Sequence, residues 1–261
     1  MHLPRRAILG LSASWLFAPQ ARGQGTALAP LGVLRAVYLA GYPVQAARDP
    51  STGAPRGIAY DLARELARRS DVELTFESRP GITPLIDAVR SGVADIGFLA
   101  NDLSRRGPVL FSQTYLRNPQ SLLVPTAGPL RSLADCDRAG LRIGAGRTDS
   151  IGLHLNRTLA AATFVPLDDV TPAAIARLFA NGTLDAFGAN RLRLRQIASL
   201  IARVRVLPGS IFGVPQAIIV PADATARLIL VDSFLTAVRR DGFLKAAIDR
   251  SDTEAEIEPE R

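Results

Sequence analysis

Short apolar runs alternate along the chain with stretches whose apolar residues recur every three to four positions, the signature of strands alternating with amphipathic helices. Gly32–Ala40 is an apolar run suited to a buried strand, followed by the turn-rich Asp49–Gly53. Ile58–Arg69 carries Ile58, Leu62 and Leu66 at helical spacing, with Ala63 and Ala67 beside them. Val72–Glu77 predicts a strand by its alternation, Leu85–Arg90 a helix closing at Ser91-Gly92, and Ala94–Ala100 a third strand. The pattern restarts with strand Leu141–Gly144, helix Ser150–Ala161, strand Thr163–Pro166, helix Pro172–Asn181, strand Leu184–Gly188, helix Arg191–Arg203 and a strand to Leu207. Phe212–Pro221 returns as a strand, and helices Thr225–Arg240 and Asp241–Asp249 close the chain. Two similar α/β units, each a mostly parallel sheet flanked by helices, follow from this order.

The ends read differently. Met1–Gly23 has a charged start at Arg5-Arg6, an apolar run Ala7–Ala18 and small residues that offer cleavage after Ala21 or Gly23, so residues 1–23 read as a secretory signal. Pro4-Arg5-Arg6 fits a twin-arginine signal, and the general secretory route needs only the positive charge. A Gly/Ala/Pro-rich leader runs on to about Pro30, and Ser251–Arg261, rich in acids, is expected to be a mobile tail.

Composition narrows the chemistry. The 261 residues are 48% hydrophobic and 21% charged, a globular balance with length for two domains. Cys136 is the single cysteine and His2 and His154 are the two histidines, which excludes an intrachain disulfide and a cysteine- or multi-histidine metal centre. No metal, cofactor or catalytic residue is called for. Losing residues 1–23 lowers the net charge from +7 to +4. The run Arg191-Leu192-Arg193-Leu194-Arg195 lacks an aromatic platform and reads as a solvated helix face, which disfavours nucleic-acid binding.

Gly57-Ile58-Ala59-Tyr60-Asp61-Leu62-Ala63, Leu85 to Asp95, and Arg105 followed by Phe111-Ser112-Gln113-Thr114-Tyr115 occur in order at compact spacing. This set resembles the extracytoplasmic solute-binding proteins of family 3, the polar amino-acid type of ABC transporters. The resemblance implies a two-lobed periplasmic-binding-protein type II fold with a cleft between the lobes and two crossing hinge strands. Lobe 1 would comprise residues 24–121 plus 215–261 and lobe 2 residues 122–214. It also implies a periplasmic monomer that captures a small carboxylate-bearing solute, amino-acid-like or an organic acid, and delivers it to an inner-membrane ABC permease complex.

The same resemblance assigns the site. Arg105 matches the arginine that grips the ligand's carboxylate, its planar fork suiting a two-point contact; the alternative is a surface loop arginine. Ala100 and Asn101 fall in the loop whose backbone N–H groups share that carboxylate, while Asn101 and Asp102 also suit a turn. Thr148, Asp149 and Ser150 open a helix after a strand, so they suit either an anion site or ordinary capping. Tyr42 falls where an aromatic wall is common, Val44 and Ile82 standing at other positions often aromatic, and a core tyrosine is the alternative. Asn190 replaces the aspartate that pairs with an ammonium group in amino-acid binders. Either Asp149 or Asp102 then substitutes for that charge, or the ligand is a carboxylate without an ammonium. Two other classes stay open: a dehydratase on the same scaffold, with Glu77, Asp102 or Asp149 as its acid, and a sensor or accessory binding protein.

Overall fold

The computed structural model describes residues 27–49, 51–102, 105–251 and 255–257; the expected signal, residues 1–23, lies outside them. The first unit runs β1 (Val33–Leu39), β2 (Ala47–Arg48), β3 (Pro55–Arg56), α1 (Ile58–Arg69), β4 (Glu73–Arg79), α2 (Ile82–Arg90), β5 (Ile96–Ala100) and β6 (Val109–Phe111). A long strand, β7 (Leu116–Pro125), leads to the second unit: β8 (Arg142–Gly146), α3 (Ser150–Thr158), β9 (Thr163–Leu167), α4 (Pro172–Ala180), β10 (Ala186–Asn190), α5 (Arg191–Leu200) and β11 (Val204–Val206). A second long strand, β12 (Phe212–Pro221), returns to α6 (Thr225–Arg240), α7 (Phe243–Ser251) and β13 (Glu256–Ile257).

The strands are joined in the order β4-β1-β5-β12-β7-β10-β8-β9. The outer trios β4-β1-β5 and β10-β8-β9 are parallel, and the joins to β12 and β7 are antiparallel. Register shows how the halves connect. Phe212–Gln216 of β12 pairs with Gln120–Leu116 of β7, then β12 continues along β5 while β7 continues along β10. Each long strand therefore belongs to one trio at one end and to its fellow at the other. Apolar clusters lie on both sides of this crossing, one around Leu62, Phe98, Ile218 and Leu235, another around Leu122, Ile143, Ile151 and Leu155. This is the mixed α/β, two-lobed architecture that the alternation implies.

The two units repeat a local device. In the first, the Arg35 backbone N–H and guanidinium both donate to Asp95, at 2.9, 2.9 and 2.8 Å. In the second, Arg142 grips Asp185 in the same way at 2.8, 3.1 and 3.3 Å. Each aspartate ties the start of the leading strand to the loop before β5 or β10, a charge-assisted clasp.

At the margins two readings gain detail and one, the mobile tail, changes. The leader is anchored at its end, because Leu28 and Ala29 are buried in the core and the Ala27 carbonyl accepts from the buried Arg227. Glu256–Ile257 of the acidic tail pairs with Arg117–Leu116, so that piece joins the sheet instead of trailing away. The turn at 49–53 is the tip of a small β2-β3 hairpin, where the Asp49 carboxylate accepts from Ser51 and Thr52.

Candidate functional site

The crossing strands place polar side chains in the middle of an apolar sheet. Asn118 and Gln120 on β7 are two residues apart, hence on one face, and Gln216 of β12 joins them. All three are buried, together with Gln45. They form the floor of a cleft holding about 580 Å³ of space free of protein atoms, its mouth included. Gln45 is placed by α1. Its carbonyl accepts the Ala59 N–H at 2.9 Å, and Gly57, at φ 113, leaves room where a Cβ would sit 2.7 Å from that oxygen. The Gln45 amide donates to Gln216 at 2.7 Å, and the Gln120 amide to the Asn118 carbonyl at 3.1 Å. Two buried acceptors, Gln45 Oε1 and Asn118 Oδ1, have no partner among the described residues.

The walls come from both units. Tyr42, Ile82, Ala100 and Arg105 line one side, and Asp149, Ser150, Asn190 and Arg193 the other. Arg105 donates to the Ala100 carbonyl at 3.0 Å, which holds its guanidinium against the end of β5. Asp149 precedes α3 without capping it, and its carboxylate stands 3.8 Å from Arg193. Arg193 also donates to the Val170 carbonyl at 3.2 Å. The loop between β8 and α3 is tight: a Cβ on Gly152 would lie 2.1 Å from the Gly146 carbonyl oxygen. Burial raises the pKa of the Tyr42 phenol, and Asp149 raises it further while Arg193 and Arg105 act in the opposite sense. One ring thus senses charges from both halves.

Six of the eight sequence-derived site residues, Tyr42, Ala100, Arg105, Asp149, Ser150 and Asn190, come together here. Two do not. Thr148 is exposed and outside the lining, because the helix begins two residues later and its side chain faces solvent. Asn101 borders a neighbouring crevice, and its N–H is committed to the Pro215 carbonyl at 2.9 Å, so it has no main-chain donor to spare. Asn190 caps α5, its Oδ1 accepting the Arg193 N–H at 2.9 Å. The reading of Arg191–Arg195 as a solvated face is corrected: Arg193 enters the cleft, Leu194 is buried, and Arg191 donates to the Leu207 and Gly209 carbonyls. Val44 is core, Glu77 pairs with Arg79 outside the cleft, and His154 stacks on Phe212 at 4.2 Å beside the neighbouring crevice.

Arg193 and the four amides escaped sequence reasoning. The amides had a usable signal, polar residues at alternate positions in otherwise apolar strands. Arg193 had none, since its neighbours Arg191 and Arg195 are of the same type.

Among the described residues no helix is long and apolar enough to cross a membrane, and no group of three or more metal-ligating side chains is present. No curated protein sequence matches the chain. Solved structures share its fold. The periplasmic VFT2 domain of Bordetella pertussis BvgS aligns with a TM-score of 0.71 at 19% identity, over 88% of this chain and 97% of that one. A mutant of the T. maritima protein ArgBP gives 0.64 at 21%, over 85% and 96%. The ancestral amino-acid-binding protein AncCDT-1, described as a precursor of cyclohexadienyl dehydratase, gives 0.64 at 21%, over 84% and 94%. The model of one family, bacterial extracellular solute-binding proteins of family 3, matches residues 34–250, nearly the whole described fold. An interlobe cleft, two crossing strands and that match make this chain a member of family 3 of the bacterial extracellular solute-binding proteins.

Proposed function

We propose that the chain is a periplasmic protein, exported through residues 1–23, that captures a small carboxylate-bearing solute between its lobes and hands it to an inner-membrane ABC importer. The observation that carries this reading is the pair of guanidinium groups, Arg105 and Arg193, entering one small cleft from opposite halves against a single lining carboxylate among the described residues, Asp149. That surplus of positive charge in a water-poor site suits an anion, and Arg105 supplies the geometry for a bidentate grip. Lobe 1 is residues 24–121 plus 215–261 and lobe 2 residues 122–214; the change of pairing partner along β7 and β12 supports a hinge there. A ligand that touches both lobes favours the closed form by its extra affinity for it, and micromolar binding needs about 8 kcal/mol net.

The test uses tyrosine fluorescence. The sole tryptophan, Trp15, leaves with the signal, so the emission comes from four tyrosines, of which Tyr42 lines the cleft and reports on it. Titrating the processed protein with organic acids and amino acids should change that emission and raise the melting temperature by mass action. Arg105→Ala should abolish both responses with the fold intact; unchanged affinity in that variant removes Arg105 from the site.

A dehydratase reading draws on the likeness to AncCDT-1. It would need a general acid in the cleft, where Asp149, the only lining carboxylate among the described residues, already faces Arg193. Turnover of a ring carboxylic acid by purified protein would place this reading first.

A further inference from the structure

Resting on the carboxylate-capture reading, we infer that this cleft selects carboxylates bearing an uncharged hydrogen-bond donor, such as 2-hydroxy acids, over the matching α-amino acids, and that Arg193 sets this preference. An ammonium group in a closed cleft needs a carboxylate to offset its desolvation. Position 190 offers an amide whose carbonyl is already used to cap α5. Asp102 borders the adjoining crevice with His154 and Arg157, outside the lining of this cleft. Asp149 remains, and Arg193 stands 3.8 Å from it, so an ammonium placed there meets a cation as well as the carboxylate. With Arg105 included, the lining carries two positive charges to one negative, a field that favours a net anion over a neutral zwitterion.

The floor asks for donors all the same. Gln45 Oε1 and Asn118 Oδ1 are acceptors without partners among the described residues, on residues only 3% exposed. Because the Gln45 amide nitrogen is bound to Gln216, its orientation is fixed and the unpaired atom is the carbonyl oxygen. Buried acceptors are normally matched. A hydroxyl or amide N–H on the ligand matches them without bringing a second positive charge. Apolar walls from Ile82, Leu99, Ile151 and Val214 suit a hydrocarbon body.

The experiment is calorimetric titration of the processed protein with three matched pairs: lactate and alanine, 2-hydroxyisocaproate and leucine, phenyllactate and phenylalanine. At least one hydroxy acid should bind about tenfold or more tightly than its amino twin. Arg193→Gln, by releasing Asp149, should shrink that ratio about fivefold or more. Arg193→Lys, which keeps the charge, should preserve it, and the melting temperature of each variant establishes that it folds. Every amino acid binding as tightly as its twin, or a ratio unmoved by Arg193→Gln in a folded variant, overturns the inference while leaving carboxylate capture standing if Arg105→Ala still abolishes binding. Absence of binding by all six compounds at millimolar concentration overturns both.

Discussion

Glu65 shows how a single charged side chain is held in the fold. It is nearly buried on α1, with hydrogen bonds from Arg68 at 2.8 and 2.7 Å and from Arg69 at 2.7 Å. The Arg68 hydrogen bonds, against opposing burial and with help from Arg69, bring its pKa down to about 2 from 4.5. A carboxylate whose folded value lies below its unfolded one stabilises fully above the unfolded value and loses that contribution as pH falls toward the folded one. Urea melts of the protein and of Glu65→Gln should therefore converge between pH 4.5 and about 2, the difference at neutral pH being roughly 1–3 kcal/mol. A parallel argument separates the two clasps. Asp95 is 1% exposed and faces Arg227 at 3.5 Å as well as Arg35, whereas the Asp185 side chain is 30% exposed. Asp95→Asn leaves buried guanidinium donors unmatched and should cost roughly 3–5 kcal/mol, with Asp185→Asn nearer 1 kcal/mol. Equal midpoint shifts in the two variants would show that burial does not control the cost.

At the scale of elements, the β8-α3 junction brings Asp149 and Ser150 to the cleft, and it does so through glycine. Replacing a helical glycine by alanine ordinarily gains about 1 kcal/mol. At Gly152 the new methyl would meet the Gly146 carbonyl at 2.1 Å, so the sign reverses. Gly152→Ala should lose roughly 1–3 kcal/mol in thermal melts and weaken ligand binding as α3 is pushed off the strand. The tail element makes a second prediction. Glu256–Ile257 pairs with β7 at Arg117 and Leu116, beside the crossing. A chain ending at Ser251 should show faster amide exchange at Leu116 and Arg117 with little change in the β8-β9 pair; equal protection would mean that the pairing contributes nothing in solution.

For the whole molecule, the two units, each with two apolar clusters, are joined in the sheet through the paired middle of β7 and β12. Small sliding or bending at that join would move Tyr42 and Arg105 relative to Asp149 and Arg193 without disturbing the apolar clusters on either side. Saturation with a tight ligand should lower the radius of gyration in small-angle scattering, and Arg105→Ala should abolish the change. An invariant radius in the presence of proven binding would exclude hinge closure.

Spacing placed most of the helices and outer strands: Ile58, Leu62 and Leu66 mark α1, and Phe212–Pro221 and Thr225–Arg240 match β12 and α6 end to end, whereas it leaves the long strand β7 unmarked. Spacing is local chemistry, and burial of one helix stripe or strand face rewards it wherever the element finally packs. The ordered motifs around Asp61, Asp95 and Arg105 likewise carried the family. What folding decided was which side chains meet. Arg191, Arg193 and Arg195 look alike in sequence, and only the rotation of α5 against β10 turns Arg193 toward Asp149. Gln45, Asn118, Gln120 and Gln216 lie in three separate stretches of chain that become one floor only when β7 and β12 cross. Pattern along a chain records what each segment must hide from water; the pairing of charges and the stranding of buried acceptors arise between segments.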